Sequence, residues 1–138
     1  MDSMPLPPAN ITENTLTVLI VEDEFLVRWP AAVFLRERGY TVIEATDVPD
    51  AISIFNSGAH VDVVFSDIQM PGELTGHSLA EWLGENHPNI PLLLTSASRT
   101  EADKVTPSDK RRFIAKPYEL GEVDAQLEAI LKHTARQA

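Results

Sequence analysis

Five short apolar runs constrain this chain more than any other feature: LTVLIV (16–21), YTVIEA (40–45), VDVVFS (61–66), PLLLTS (91–96) and RFIA (112–115). Helix signals fill the gaps between them. Phe25 to Arg38 reads as a helix closed by Gly39, the usual residue for a left-handed cap. Pro30 inside it should remove one hydrogen bond and bend it. Thr46 or Asp47 caps a second helix through Phe55, with Pro49 in its first turn. A third covers 77–86, where Leu79 and Leu83 stand one turn apart. The fourth, 98–110, is polar and only weakly periodic. In the fifth, Leu120, Val123, Leu127, Ile130 and Leu131 recur at helical spacing and form one apolar stripe.

Strands and helices in strict alternation call for an α/β fold, a parallel sheet with helices on both faces. Near-continuous apolar strands suit a sheet covered on both sides. Right-handed crossovers then predict a doubly wound five-stranded sheet in the order 2-1-3-4-5, the flavodoxin-like arrangement. In that order strands 1 and 3 are neighbours where the winding reverses, and ligands bind outside the carboxyl ends of the strands. Glu22 and Asp23 follow strand 1, Asp67 follows strand 3, Thr95 lies at the end of strand 4 and Lys116 follows strand 5. Topology alone therefore puts Asp23 and Asp67 together, and Glu22, Thr95 and Lys116 stand at strand ends that open on the same crevice.

Each has a plain explanation taken singly: a solvated turn, a strand-end hydroxyl, a surface lysine before Pro117. Their joint placement at strand ends does not. Like charges ~4 Å apart at an effective dielectric near 20 repel by about 4 kcal/mol, and a hard divalent cation with oxygen ligands offsets that. Mg²⁺ suits a partial carboxylate shell completed by water and a phosphate oxygen, with Mn²⁺ the alternative. Lys116 adds a positive charge and Thr95 a hydroxyl donor. Around one carboxylate they make an electrostatic clamp for phosphoryl transfer.

Bulk properties narrow the class. The chain has 138 residues, enough for one domain with its own core, and 43% are hydrophobic. No cysteine is present, which excludes disulfides, thiolate metal sites and a cysteine nucleophile. The net charge of −10 argues against nucleic acid and anionic membrane as partners. No apolar run approaches the roughly 20 residues of a membrane span. MDSMPLPPAN lacks the basic and apolar regions of a secretion signal, so a soluble cytoplasmic protein is expected. The expected layout is a mobile tail over 1–14, a domain over 15–134 and a short tail over 135–138.

The spans VLIVEDE, VVFSDIQMPG, LLLTSAS and FIAKPYEL, in this order and spacing, resemble the receiver domain of two-component response regulators. The likeness runs from about Leu16 to His133. It implies that Asp67 accepts a phosphoryl group from a phosphohistidine on a sensor histidine kinase or a histidine phosphotransfer protein. It also implies that Glu22, Asp23, Asp67 and the backbone carbonyl of Gln69 hold Mg²⁺, and that Thr95 and Lys116 contact phosphoryl oxygens. The Lys116–Pro117 peptide would be cis. Phosphorylation would draw Thr95 inward and let Phe113 turn, reshaping the face of helix 4, strand 5 and helix 5. That face would serve an unknown downstream protein or a phosphorylation-dependent homodimer of an otherwise monomeric chain. Phe113 also suits a plain core or edge aromatic.

Some positions depart from the commonest family pattern. The loop from Asp67 to Gly76 is one residue longer than usual, with Gly72 to Thr75 replacing a shorter turn. Gln69 and Ala97 stand where side chains govern water access to the acyl phosphate. The resulting expectation is a stand-alone receiver, or the excised receiver of a longer protein, with no turnover of an external substrate. One rival is a Mg²⁺-dependent phosphatase with Asp67 as nucleophile. The haloacid dehalogenase group it would resemble needs a second aspartate where this chain has Gln69. The other rival is a receiver-fold interaction module indifferent to phosphate. His60, His77, His87 and His133 show no metal-ligand spacing, and no GxxxxGK[ST] motif occurs. Lys110-Arg111-Arg112 reads as a solvated basic edge or, more sharply, as a docking contact near the switch face, and Trp29 and Trp82 as core or boundary packing.

Overall fold

The computed structural model describes residues 15–137. Strands β1 (Thr17–Val21), β2 (Thr41–Ala45), β3 (Val63–Asp67), β4 (Leu92–Ser96) and β5 (Arg111–Ala115) alternate with helices α1 (Phe25–Glu37), α2 (Val48–Asn56), α3 (Gly76–Asn86), α4 (Arg99–Asp103) and α5 (Leu120–Gln137). The strands form one parallel sheet in the order β2-β1-β3-β4-β5. The alternation of apolar runs and helices therefore led to the observed topology.

Successive strand residues face opposite sides of the sheet, and two buried clusters result. On one side Leu19, Val21, Val64, Leu92 and Leu94 meet Val48, Ala51 and Phe55 of α2 and Leu79 and Leu83 of α3. On the other, Val18, Ile20, Val63, Phe65 and Leu93 meet Ala31, Ala32 and Leu35 of α1 and Val123, Leu127 and Ile130 of α5. The apolar stripe read in α5 is thus its buried face.

Local chemistry sets the element ends. Gly39 adopts φ +98° just past α1, a conformation costly for any residue with a Cβ. Asp47 caps α2 by accepting from the Asp50 amide at 2.8 Å. Thr75 caps α3 in a reciprocal box with Ser78, a signal that the sequence reading passed over. Asp67 is the last residue of β3 rather than the first after it.

Three expectations need correction. Helix 98–110 shrinks to Arg99–Asp103. Pro107 disfavours helical geometry at Thr106, and the chain then turns through a bridge between Ser108 and Arg111. Helix, not tail, occupies residues 135–137, because α5 continues through Gln137. Trp29 is half-exposed and stacks on Phe25 at 6.0 Å rather than packing inward. Trp82, by contrast, packs against Phe55 at 5.5 Å. Residues 1–14, read as a tail, lie outside the described residues. Among the described residues, no helix is long and apolar enough to cross a membrane.

Candidate functional site

The carboxyl ends of β1, β3, β4 and β5 open on one acidic pocket. Register explains the convergence: Val21 pairs with Ser66, and Asp67 pairs with Thr95, so the loop after β1 meets the ends of β3 and β4. One carboxylate oxygen from each of Glu22, Asp23 and Asp67 lies within 4.8 Å of the others. Lys116, one residue past β5, reaches across with Nζ 3.0 Å from Glu22 Oε1 and 3.2 Å from Asp67 Oδ2. The remaining oxygens of the two buried acids accept from the Glu24 amide at 3.1 Å and, weakly, from the Gln69 amide at 3.4 Å. Thr95 Oγ1 is buried and has no hydrogen-bond partner among the described residues. The Lys116–Pro117 peptide is cis.

Three carboxylates against one ammonium leave two uncompensated negative charges, the charge a divalent cation balances. Burial pushes the Glu22 carboxyl above the ordinary range, against the hydrogen bond from Lys116 that favours its charged form. Burial alone would lower the Lys116 ammonium, but the hydrogen bond to Glu22 and the charge of Asp67 carry it above the usual lysine value. Lys116 therefore stays charged throughout the neutral range.

Several supporting residues escaped the sequence reading. Arg28 donates from α1 to the Glu22 carbonyl at 2.8 Å and to Glu44 at 3.0 Å. Ser66 is buried and donates to the Asp67 carbonyl at 2.8 Å. Gly76 seats α3 against the end of β3, where an added Cβ would lie 2.8 Å from both Asp67 O and Ile68 Cα. No motif announces such contacts, because they join residues far apart in sequence or depend on close backbone approach. Beside the pocket lies an apolar groove of about 410 Å³, lined by Val27, Pro30, Ala97, Pro117, Tyr118 and Leu120 together with Lys116.

Other candidates lie elsewhere. Phe113 pairs in register with Leu94, one residue before Thr95, and packs partly buried against the α2–α3 cluster. Arg111 is not a solvated charge: its guanidinium donates to the carbonyls of Lys110, Ile90 and Ala80. The histidines pair separately, His60 with Asp62, His77 with Glu101 and His133 with Asp109, while His87 packs on Phe55.

The family profile described as the response regulator receiver domain matches residues 18–128. The chain belongs to this receiver-domain family. The sensor kinase CckA of Brucella abortus is 37% identical over 122 residues, which cover 86% of this chain and 13% of the kinase. The sensory transduction protein RegX3 of Mycobacterium bovis is 32% identical, covering 84% of this chain and 51% of that protein. This receiver domain therefore spans about half the length of RegX3 and a small fraction of CckA. Among solved structures, the receiver domain of the hybrid histidine kinase CckA superposes with a TM-score of 0.71 at 31% identity, covering 83% of this chain and 98% of that one. The response regulator TrrA of Thermotoga maritima, solved with Mg²⁺ and BeF, shares the fold with a TM-score of 0.75 at 23% identity, covering 84% and 99%. Receiver domains of two-component systems are phosphoacceptors supplied by histidine kinases, and they generally bind Mg²⁺ in an acidic pocket.

Proposed function

We propose that Asp67 of this receiver domain takes a phosphoryl group from a phosphohistidine on a sensor histidine kinase or histidine phosphotransfer protein. Glu22, Asp23, Asp67 and the backbone carbonyl of Gln69 hold the Mg²⁺. The observation that carries this reading is the Thr95 hydroxyl, buried at the mouth of a charged pocket with no partner of its own. An unsatisfied buried hydroxyl costs about 1–3 kcal/mol, and a phosphoryl oxygen on the neighbouring Asp67 would satisfy it.

An Asp67 carboxylate oxygen attacks phosphorus as the P–N bond breaks, and the electron pair of that bond stays with the departing imidazole. Bound Mg²⁺ supplies charge neutralisation for the transferred group. Lys116, already 3.2 Å from Asp67, supplies a second positive charge without rearrangement. Glu22 and Asp23 bind no substrate atom and serve the cation. α1 exposes the side chains of Phe25, Leu26 and Trp29 and lends Val27 and Pro30 to the apolar groove, and this apolar surface suits a protein donor. Thr95 then moves toward the adduct and Phe113 follows, so that α4, β5 and α5 present a changed face to a downstream protein or a second copy. The functional unit runs from residue 15 through the end of α5 at Gln137, acts in the cytoplasm, and turns over no external substrate.

Incubation with a small phosphodonor and Mg²⁺ should add one phosphoryl group, located at Asp67 by mass spectrometry. Asp67→Asn and chelation of the metal should each abolish the label. Full labelling of Asp67→Asn would refute the assignment.

A further inference from the structure

We propose that Arg28 is a positioning residue for the metal-binding carboxylates, its guanidinium locking the β1–α1 turn that carries Glu22 and Asp23. The inference rests on the metal reading of the pocket given above. Arg28 is not an ordinary surface arginine. Its side chain is 13% exposed, Nε lies 3.0 Å from Glu44 Oε1, and Nη1 lies 2.8 Å from the main-chain oxygen of Glu22. Glu44 is held in turn by Arg36 at 3.3 Å, and the Phe25 ring covers the Arg28 guanidinium at 5.6 Å.

The consequence falls on Glu22. Its amide donates to Ala45 at 3.0 Å, its carbonyl accepts from Arg28, and its carboxylate oxygens accept from Lys116 and Glu24. Every polar group of this residue is thereby committed, and Arg28 supplies the tie from α1. Without it, a buried carboxylate repelled by Asp67 gains an easy route: the turn relaxes and the charge swings toward water. The planar fork matters, because one end grips the turn while the other is anchored on β2 through Glu44.

A bystander cation would act in the opposite sense. Positive charge near an acidic pocket repels Mg²⁺, so deleting a bystander tightens binding, whereas deleting a positioning group weakens it. Isothermal titration of the full chain with Mg²⁺, supported by Mn²⁺ paramagnetic resonance, separates the two. Removal of comparable outer groups weakens metal binding by roughly 10-fold or more. We expect a weakening of about that size in Arg28→Gln, and a clear weakening in Arg28→Lys, which keeps the charge but loses the fork. Circular dichroism would verify the fold of both variants. Mg²⁺ affinity equal to or tighter than wild type in Arg28→Gln overturns the assignment, as does wild-type affinity in Arg28→Lys. Asp23→Asn guards the underlying reading: if wild type takes up no Mg²⁺, or Asp23→Asn binds as wild type does, the metal site itself is wrong. Normal metal binding in wild type, lost in Asp23→Asn and unchanged in the Arg28 variants, removes Arg28 alone.

Discussion

β3 and β5 each deliver one residue to the acidic pocket, yet they are built differently. β3 lies between β1 and β4, and every one of its residues, Asp67 included, is buried. β5 is an edge strand that packs Phe113 against one cluster and Ile114 against the other, with only the short α4 beside it on the first side, and none of its residues is fully buried. The central strand ends in a buried carboxylate, while the edge strand is only partly buried and leads, one residue past its end, to Lys116. On the proposed function, the carboxylate that takes the phosphoryl group sits on the fully buried strand, and Phe113, the residue proposed to move, sits on the less buried one.

The same substitution on the two strands gives the largest test of this contrast. Phe65 of β3 is 3% exposed, whereas Phe113 of β5 is only partly buried. Phe65→Ala should cost about 3–5 kcal/mol in urea unfolding, and Phe113→Ala about 1–2 kcal/mol. Equal costs would break the comparison.

Gly76→Ala sharpens it at the end of β3. The new methyl would press on Asp67 O and Ile68 Cα, both backbone atoms that cannot rotate away. The expected cost is about 1–3 kcal/mol in thermal or urea unfolding, with weaker Mg²⁺ binding because the end of β3 shifts. A neutral effect would show that the β3 end yields more readily than its burial suggests.

The smallest effect concerns Glu22, the acid that Lys116, just past the edge strand, bridges to Asp67. Burial raises its folded-state titration, so over the window just above the ordinary carboxylate range the folded protein keeps a proton that the unfolded chain has released. Stability of the metal-free protein therefore falls as pH rises through that window, and the penalty is fully present above it. Lys116 has the opposite sign, because its raised titration gives stability that is complete at neutral pH and lost only in alkali. Glu22→Gln should then be more stable than wild type at neutral pH without metal, and the gap should close toward acid. Urea midpoints measured across pH would show it. A constant gap would mean that Glu22 does not titrate as its burial requires.

Much of the molecule was legible in order and spacing. Alternating apolar runs implied the parallel sheet, and right-handed crossovers implied its strand order. Together they placed Glu22, Asp23, Asp67, Thr95 and Lys116 at neighbouring strand ends, because strand period and crossover handedness are local properties of the backbone. What only the tertiary structure decided depends on distances between segments remote in sequence. The Arg28 tie to Glu22 and Glu44, the backbone contact that requires glycine at position 76, and the unpartnered hydroxyl of Thr95 belong to this class. So does the brevity of α4: Pro107 in a polar segment hints at it, but whether β5 is left half-covered depends on how the other helices share the two faces of the sheet. Packing is a collective quantity, and no single stretch of chain encodes it.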